Sequence, residues 1–251
     1  MNREYHRDRP ELMDVPQEVT PELERDLANL ESLNRYFGSH ALIRRFLELW
    51  LEPGHSYRLL DVATGAGDIP RLIADWARER EVMVQIVAID ANASTVKIAE
   101  DQSANYPEIQ WVCADAREYQ SRSRFDLVIC SLALHHFSED DAVCVLRRCR
   151  ELSAHYVLVA DLERSWLAAA GVWFITEFVY RDHMTRVDGR LSVKRAFSFP
   201  EFRSLAERAG WDAFIHTRFP MFRQAIWMTT LDAGDIPAPA VAIAEPLPCP
   251  I

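Results

Sequence analysis

Three features that mark large classes of protein are missing from this sequence. The five cysteines include no CxxC pair, which argues against a zinc ribbon or a redox dithiol and favours reduced, structural thiols. The longest nearly apolar run, SWLAAAGVWFITEFVY, is shorter than the roughly 20 residues that span a bilayer. Excess positive charge is also missing: the formal net charge is -10, which argues against a nucleic-acid partner.

The two ends of the sequence are polar or irregular. The first residues, MNREYHRDRPELMD, are charged and lack the apolar segment of a secretory signal, so a cytoplasmic location is expected. Residues 235–251, DIPAPAVAIAEPLPCPI, are rich in proline and alanine and lack periodicity, which predicts a disordered or loosely docked tail. The whole chain has 251 residues, a length that suits one α/β domain with additions.

Apolar strands alternate with helices along most of the chain. Two helices are predicted between residues 20 and 51, separated at Gly38. The predicted strands are YRLLDV, VMVQIVAID, IQWVCA, FDLVICSLAL and HYVLVADL, followed by WDAFIHTRF and FRQAIWMTTL. Strands that are apolar on both faces and separated by helices indicate a parallel sheet covered on both sides. We therefore expect a doubly wound, mostly parallel α/β sheet of seven strands, finished by an antiparallel pair.

The stretch LLDVATGAGDIPRLI reads as a strand, a glycine turn and a helix. In a parallel sheet such a turn lies at the carboxyl ends of the strands, where ligands bind. The turn begins after Asp61, contains the small residues Ala63, Gly65 and Gly67, and is followed by Asp68, which is expected to cap the helix. A dinucleotide fingerprint needs a small third residue where Pro70 stands, and pyrophosphate disfavours a carboxylate at the helix N-terminus. The turn therefore favours an uncharged ribose or a cationic sulfonium over NAD.

LLDVATGAGD resembles motif I of the class I S-adenosylmethionine-dependent methyltransferases, and the resemblance runs from about Leu59 to Leu162. It implies a Rossmann-like fold in which Asp90 binds both ribose hydroxyls and Asp115 faces the adenine. FDLVICSLALHHF is similar to motif IV, which ends under the methyl donor. Many relatives have glycine where this chain has Ala63. The cofactor-binding residues expected on this basis are Asp61, Ala63, Gly65, Gly67, Asp90, Ala91, Asp115, Ala116, Ser131 and Arg35.

The segment LESLNRYFGSHALIRRFL resembles the N-terminal helices that fold over the cofactor in this superfamily. Arg35 or Tyr36 is expected to reach the methionine carboxylate or to close the site; the alternative is a buried Tyr36 and a solvated Arg35. The resemblance divides the chain into an N-terminal helical lid (1–54), a core (55–234) with a helical cap at about 163–197, and the tail (235–251).

Three histidines are candidates for the catalytic base. A phenol is mostly protonated at neutral pH, and a nearby histidine can accept its proton. His135 and His136 follow the fourth predicted strand, whereas His183 lies in the inserted segment. A structural or orienting role for the pair, and a surface position for His183, are the alternatives. No metal site is expected, since Asp140 and Asp141 are adjacent and point apart on a helix.

The cap segment bears on the substrate. Its aromatic residues are Trp166, Trp173, Phe174, Phe178 and Tyr180, and they suit a substrate pocket, a homodimer interface or plain core. The basic residues after them either meet an acidic group or are solvated. The hypothesis is methyl transfer to a small aromatic molecule such as a phenol, quinol or polyketide-derived ring, on oxygen rather than carbon. A non-catalytic cofactor-binding partner subunit and an NAD-dependent oxidoreductase are the alternatives.

Overall fold

The computed structural model describes residues 1–229, so the predicted tail at 235–251 lies outside the described residues. The helices are α1 (Pro21–Tyr36), α2 (Ser39–Trp50), α3 (Asp68–Glu79), α4 (Ala93–Gln102), α5 (Glu139–Leu152), α6 (Trp166–Phe178), α7 (His183–Arg195) and α8 (Phe199–Arg208). Short 3-10 turns lie at Leu12–Asp14 and Leu134–His136. The strands are β1 (Ser56–Val62), β2 (Met83–Asp90), β3 (Ile109–Cys113), β4 (Phe125–Ser131), β5 (Ser153–Leu162), β6 (Ile215–Phe219) and β7 (Arg223–Thr229).

The seven strands form one sheet in the order β3-β2-β1-β4-β5-β7-β6. The first five strands are parallel to one another, while β7 pairs antiparallel with both β5 and β6. The predicted doubly wound α/β sheet and its antiparallel finish are therefore confirmed. The strand order reverses between β1 and β4, which is where an open parallel sheet leaves a crevice for ligands.

Helices cover both faces of the sheet and bury two apolar layers. One layer packs α2 and α3 against the strands and contains the large side chains of Trp50 and Trp76. The other packs α5 and α8 against the opposite face and contains Phe202 and Trp211. Within residues 1–229 no helix has the length and apolar content needed to cross a membrane.

Side chains at the helix starts explain most of the helix boundaries. Thr20 accepts a hydrogen bond from the Leu23 N–H at the start of α1, and Ser198 forms a reciprocal capping box with Glu201 at the start of α8. The prediction that Asp68 caps α3 is wrong. Asp68 is the first helical residue, and its carboxylate accepts instead from Asn34 and His40, which ties α3 to the two N-terminal helices.

Gly67 brings the start of α3 against strand β3. Its φ is +76°, in the left-handed region, and a Cβ there would lie 2.7 Å from Cζ3 of Trp111 and closer still to the neighbouring ring carbon. The missing side chain thus leaves room for an indole ring that packs under the glycine turn.

We expect Gly67→Ala to lower the free energy of unfolding by about 2–4 kcal/mol, because it adds an overpacked methyl group to a left-handed backbone. The matched control is Gly54→Ala, at φ +79°, where an added Cβ meets nothing within 4 Å among the described residues. That variant should lose only about 1–2 kcal/mol, the conformational part alone. Urea unfolding of both variants measures the difference, and equal losses would contradict the packing role of Gly67.

Candidate active site

A cavity of about 870 Å³ opens at the carboxyl ends of the parallel strands. Its volume lies in the range of about 300–1,000 Å³ that is typical of small-molecule sites. The strand ends contribute Asp61, Asp90 and Ser131, and α6 closes the opposite side. The cavity therefore occupies the crevice that the strand order predicts.

Asp90 and the glycine turn form one hydrogen-bonded unit. Oδ2 of Asp90 accepts the Gly65 N–H at 2.9 Å, and Oδ1 accepts the Asn92 N–H at 2.9 Å. Each oxygen keeps a second lone pair for a ligand. A Cβ built on Gly65 would meet no atom of residues 1–229 within 4 Å, so the turn leaves its cavity side open. Ala63 takes a left-handed φ of +54°, and Ala91 and Ala116 line the same cavity.

Buried carboxylates make this end of the cavity acidic. Asp61 is 2% exposed, and burial raises its pKa to about 8, with the carboxylates of Asp68 and Asp90 acting in the same direction. Burial also raises the pKa of Asp90, although its two backbone N–H donors oppose the shift. A cationic or uncharged ligand is therefore favoured here over an anion.

Asp115 lies at the cavity wall but already has a partner. Arg117 donates to it from the backbone N–H at 2.8 Å and from Nε at 3.0 Å, and this guanidinium holds the pKa of Asp115 below its usual range. Arg117 also donates to Asp141 at 3.0 Å. The predicted adenine contact of Asp115 stays a prediction, and any ligand there meets a paired carboxylate.

The two adjacent histidines are each fixed by a carboxylate. Nδ1 of His135 lies 2.7 Å from Oδ1 of Asp161, and the His135 backbone N–H donates to Oδ2 at 2.9 Å. Nδ1 of His136 lies 2.6 Å from Oδ2 of Asp14. Both histidines line the cavity. Burial alone would lower the pKa of His136, but Glu11 and Asp14 more than offset it and raise that pKa to about 10.

The first 19 residues lie in the predicted lid (1–54), but none of them is among the predicted site residues. Glu11, Met13 and Asp14 line the cavity, and the N–H groups of Leu12 and Met13 donate to Asp188 of α7 at 2.7 and 3.0 Å. This N-terminal segment therefore closes one side of the cavity. Its sequence has no helical or strand periodicity, so no local signal marked it.

Several predicted residues lie away from the cavity. Among the residues that the structure describes, Arg35, Gly67 and His183 are not part of the lining. Arg35 is paired with Glu31 on the exposed side of α1, and Tyr36 is 72% exposed, so of the two alternatives for Arg35 the solvated one fits the geometry. His183 is the exposed first residue of α7.

Helix α6 presents small residues to the cavity and aromatic residues to the outside. The lining includes Ala168, Gly171, Val172 and Ile175. Of the three roles left open for the aromatic residues, a pocket lining and plain core do not fit Trp166, Trp173, Phe174 and Phe178, which are outside the described lining and 50–70% exposed. The two kinds of residue occupy opposite faces of one helix, and apolar content alone does not separate the faces.

The basic residues of α7 have partners within the chain. Arg186 and Arg190 pair with Glu177, and Arg195 is buried and donates to backbone carbonyls of the N-terminal segment. Arg195 is therefore not solvated, whereas Arg186, Arg190 and Lys194 are paired but partly exposed.

Comparison with known proteins agrees with this geometry. Residues 59–155, from within β1 into β5, match the sequence profile of the family described as "Methyltransferase domain". The match covers 97 of the chain's 251 residues and includes the glycine turn and the ends of the first four strands. The same fold occurs in solved structures: the plantazolicin methyltransferase BamL superposes on this chain with a TM-score of 0.60 at 15% identity, over 78% of this chain and 71% of that one.

Two curated relatives act in quinone biosynthesis by name. The chain is 29% identical over 127 residues to "Ubiquinone biosynthesis O-methyltransferase" of Rhodopseudomonas palustris, covering 49% of this chain and 47% of the relative. It is 26% identical over 174 residues to "Ubiquinone/menaquinone biosynthesis C-methyltransferase" of Cupriavidus necator, covering 68% and 67%. The chain thus spans about half the length of the first relative and about two thirds of the second.

The raised pKa of Asp61 predicts a pH dependence of stability. The folded protein keeps the proton of Asp61 up to about pH 8, whereas an unfolded aspartate loses it near pH 4. Stability is therefore lost as the pH rises between these values, by at most about 1.4 kcal/mol per pH unit. We expect Asp61→Asn to remove this loss, so that the variant gains stability relative to the wild type between pH 5 and pH 8.

Urea unfolding of the wild type and Asp61→Asn at both pH values measures the effect. The comparison at each pH cancels the titration of the groups that do not interact with Asp61. A stability difference that stays constant from pH 5 to pH 8 would contradict the raised pKa.

Proposed function

We propose that this chain transfers a methyl group from S-adenosylmethionine to a ring hydroxyl of a small apolar aromatic molecule, such as a phenol or a quinol. One observation carries the proposal. A single cavity joins the acidic strand ends of the methyltransferase domain to an apolar wall on α6 and to two histidines fixed by carboxylates. Cofactor and acceptor would therefore share one enclosed space.

The residues at the glycine turn fit S-adenosylmethionine better than a dinucleotide. Asp90 offers two free lone-pair positions, as a ribose diol requires, and Gly65 leaves space beside them. Asp61 and Asp68 are both buried near the start of α3, where a pyrophosphate would need an unobstructed positive helix end. When bound, this cofactor supplies a methyl group attached to a positively charged sulfur, which suits an acidic surrounding.

The opposite wall fits an apolar acceptor. Ala168, Gly171, Val172 and Ile175 give α6 a smooth apolar face, and α7 adds Val193. Such a surface holds a ring by contact and excludes water, which is most of what alignment for methyl transfer needs. His135 and His136 also line the cavity and offer polar groups, so the reacting hydroxyl would be held there.

Oxygen is proposed over carbon as the methylated atom because the histidine pair supplies polar groups for a hydroxyl. The relatives' names include both an O-methyltransferase and a C-methyltransferase, and the same cavity would hold an activated ring for either. The atom methylated, the substrate class and the cytoplasmic location thus remain proposals, as does dimerisation through the exposed aromatic face of α6.

Calorimetric titration with S-adenosylmethionine, S-adenosylhomocysteine and NAD tests the cofactor. We expect the first two to bind in the micromolar range and NAD to give no heat. Asp90→Ala should weaken binding by about 1–3 kcal/mol, because it leaves buried hydrogen-bonding groups without partners. Asp101→Ala on the exposed side of α4 is the matched control and should bind normally. Binding of NAD alone would overturn the proposal.

A methyl-transfer assay tests the reaction. With phenols and quinols as acceptors, we expect a product whose NMR spectrum shows a new methoxy carbon. His135→Ala should lower turnover at least tenfold while leaving the affinity for S-adenosylhomocysteine nearly unchanged, and the exposed His55→Ala should lower neither. A ring-carbon methyl group would shift the proposal to C-methylation. Cofactor binding without any product would favour the non-catalytic alternative.

A further inference from the structure

The Glu11–His135–His136 cluster brings the N-terminal segment to the end of β4. Glu11 stands just before the 3-10 turn at Leu12–Asp14, and the histidines lie in the turn at Leu134–His136. One ligand-type atom from each residue lies within 4.8 Å of the other two. All three residues line the cavity. The cluster is therefore accessible from the space where an acceptor would bind.

The histidines are oriented as metal ligands are. Each Nδ1 is hydrogen-bonded to a carboxylate, His135 to Asp161 and His136 to Asp14. Metal-bound histidines almost always donate their second ring N–H to such a partner, which fixes the ring and leaves the other nitrogen free to bind. The two Nε2 atoms face the Glu11 carboxylate at 3.9 Å and 3.8 Å.

Glu11 itself has unused bonding capacity. It is 1% exposed, and Oε2 accepts a hydrogen bond from Ser192 at 2.9 Å. Within residues 1–229, Oε1 has no hydrogen-bond partner, and its neighbouring cation is Arg195 at 3.7 Å. A buried carboxylate oxygen without a partner is costly, so an occupant that binds it would be stabilising.

The charges of the cluster leave room for a dication. Glu11, Asp14 and Asp161 each contribute a negative charge, and Arg195 contributes one positive charge. Ligation requires both imidazoles to be neutral, so an ion that binds displaces the proton that Glu11 and Asp14 stabilise on His136, and these side chains then leave two negative charges uncompensated. A divalent cation supplies that balance. An ion with bonds of about 2.1 Å in tetrahedral geometry holds its ligands about 3.4 Å apart, so the Nε2–Glu11 distances need to shorten by about half an ångström.

We propose that Glu11, His135 and His136 bind a divalent cation of the zinc type, with its open position toward the cavity. Two imidazoles and one carboxylate form a ligand set that zinc uses in catalytic sites, whereas magnesium prefers oxygen ligands. The ion would also join the N-terminal segment to the sheet. The sequence expectation of no metal site missed it because Glu11 is remote from the histidines along the chain.

The role of the ion rests on the proposed function. An acceptor hydroxyl that binds at the open position loses its proton to solvent more readily, because the cation stabilises the oxyanion. The O–H bond breaks, the oxygen forms a bond to the methyl carbon, and the carbon–sulfur bond breaks, which leaves a neutral thioether. No oxidant or reductant is required.

Cobalt titration of the untagged full chain, freed of metal by a chelator, tests the site. We expect one Co²⁺ per chain, with the visible absorption of a low-coordinate site, and displacement by Zn²⁺ but not by Mg²⁺. Glu11→Gln and His136→Gln should each weaken Co²⁺ binding at least tenfold. Glu18→Gln, at an exposed position in the same N-terminal segment, is the matched control and should bind normally.

Three outcomes decide the inference. Absence of a cobalt band, or a band that survives unchanged in both Glu11→Gln and His136→Gln, would overturn the site; urea unfolding shows that each variant is folded. Equal methyl transfer by metal-free and zinc-loaded protein would overturn the ion's role while the proposed function stands. Failure to bind S-adenosylhomocysteine would overturn the proposed function and leave the cobalt result intact.

Discussion

The Asp161 carboxylate is the interaction on which the arrangement of the site depends. It is fully buried at the end of β5 and accepts the backbone N–H and the ring of His135, as well as the Leu162 N–H. Burial opposes the ionisation of Asp161, but His135 holds the pKa of this carboxyl below its usual range. By fixing the turn after β4, this one group also determines where His136 meets Asp14 and where the N-terminal segment can lie.

Acidic groups dominate the polar part of the cavity. Burial disfavours the ionised forms of Asp61 and Asp90, so the pKa values of both carboxyl groups are raised. The protein tolerates them because backbone N–H groups partner Asp90 and because the neutral form of Asp61 is accessible. Such a cavity favours a cationic ligand at two positions, one beside the glycine turn and one between Glu11 and the histidines. Methyl donor and metal ion are cations of different kinds, and the two positions would keep them apart.

The sheet and the strand-end residues were predictable because they follow from local pattern. Apolar runs separated by helices specify a parallel sheet, and Asp61, Asp90 and Ser131 then reach one edge by topology alone. Contacts between distant segments were not predictable in this way. Asp68 has the residue type of a helix cap, yet His40 and Asn34 compete for it in the folded chain.

The same limit explains the residues that sequence reasoning missed. The Asp14–His136 contact joins residues 122 positions apart, and Glu11 reaches the histidines through it. The sequence also does not show in which direction the aromatic side chains of α6 face. Which side of the helix is turned outward depends on how α6 packs against α7. Packing between elements, rather than the pattern within one, settles such questions.

Helix α6 is a wall only one helix thick, with glycine and alanine on its inner side. Gly171 lines the cavity, and a Cβ added there would meet nothing within 4 Å among the described residues. The size of the acceptor space is thus adjustable by single substitutions that touch neither the strand ends nor the histidines. A change of preferred acceptor during evolution or engineering can therefore begin on this helix without loss of the donor site.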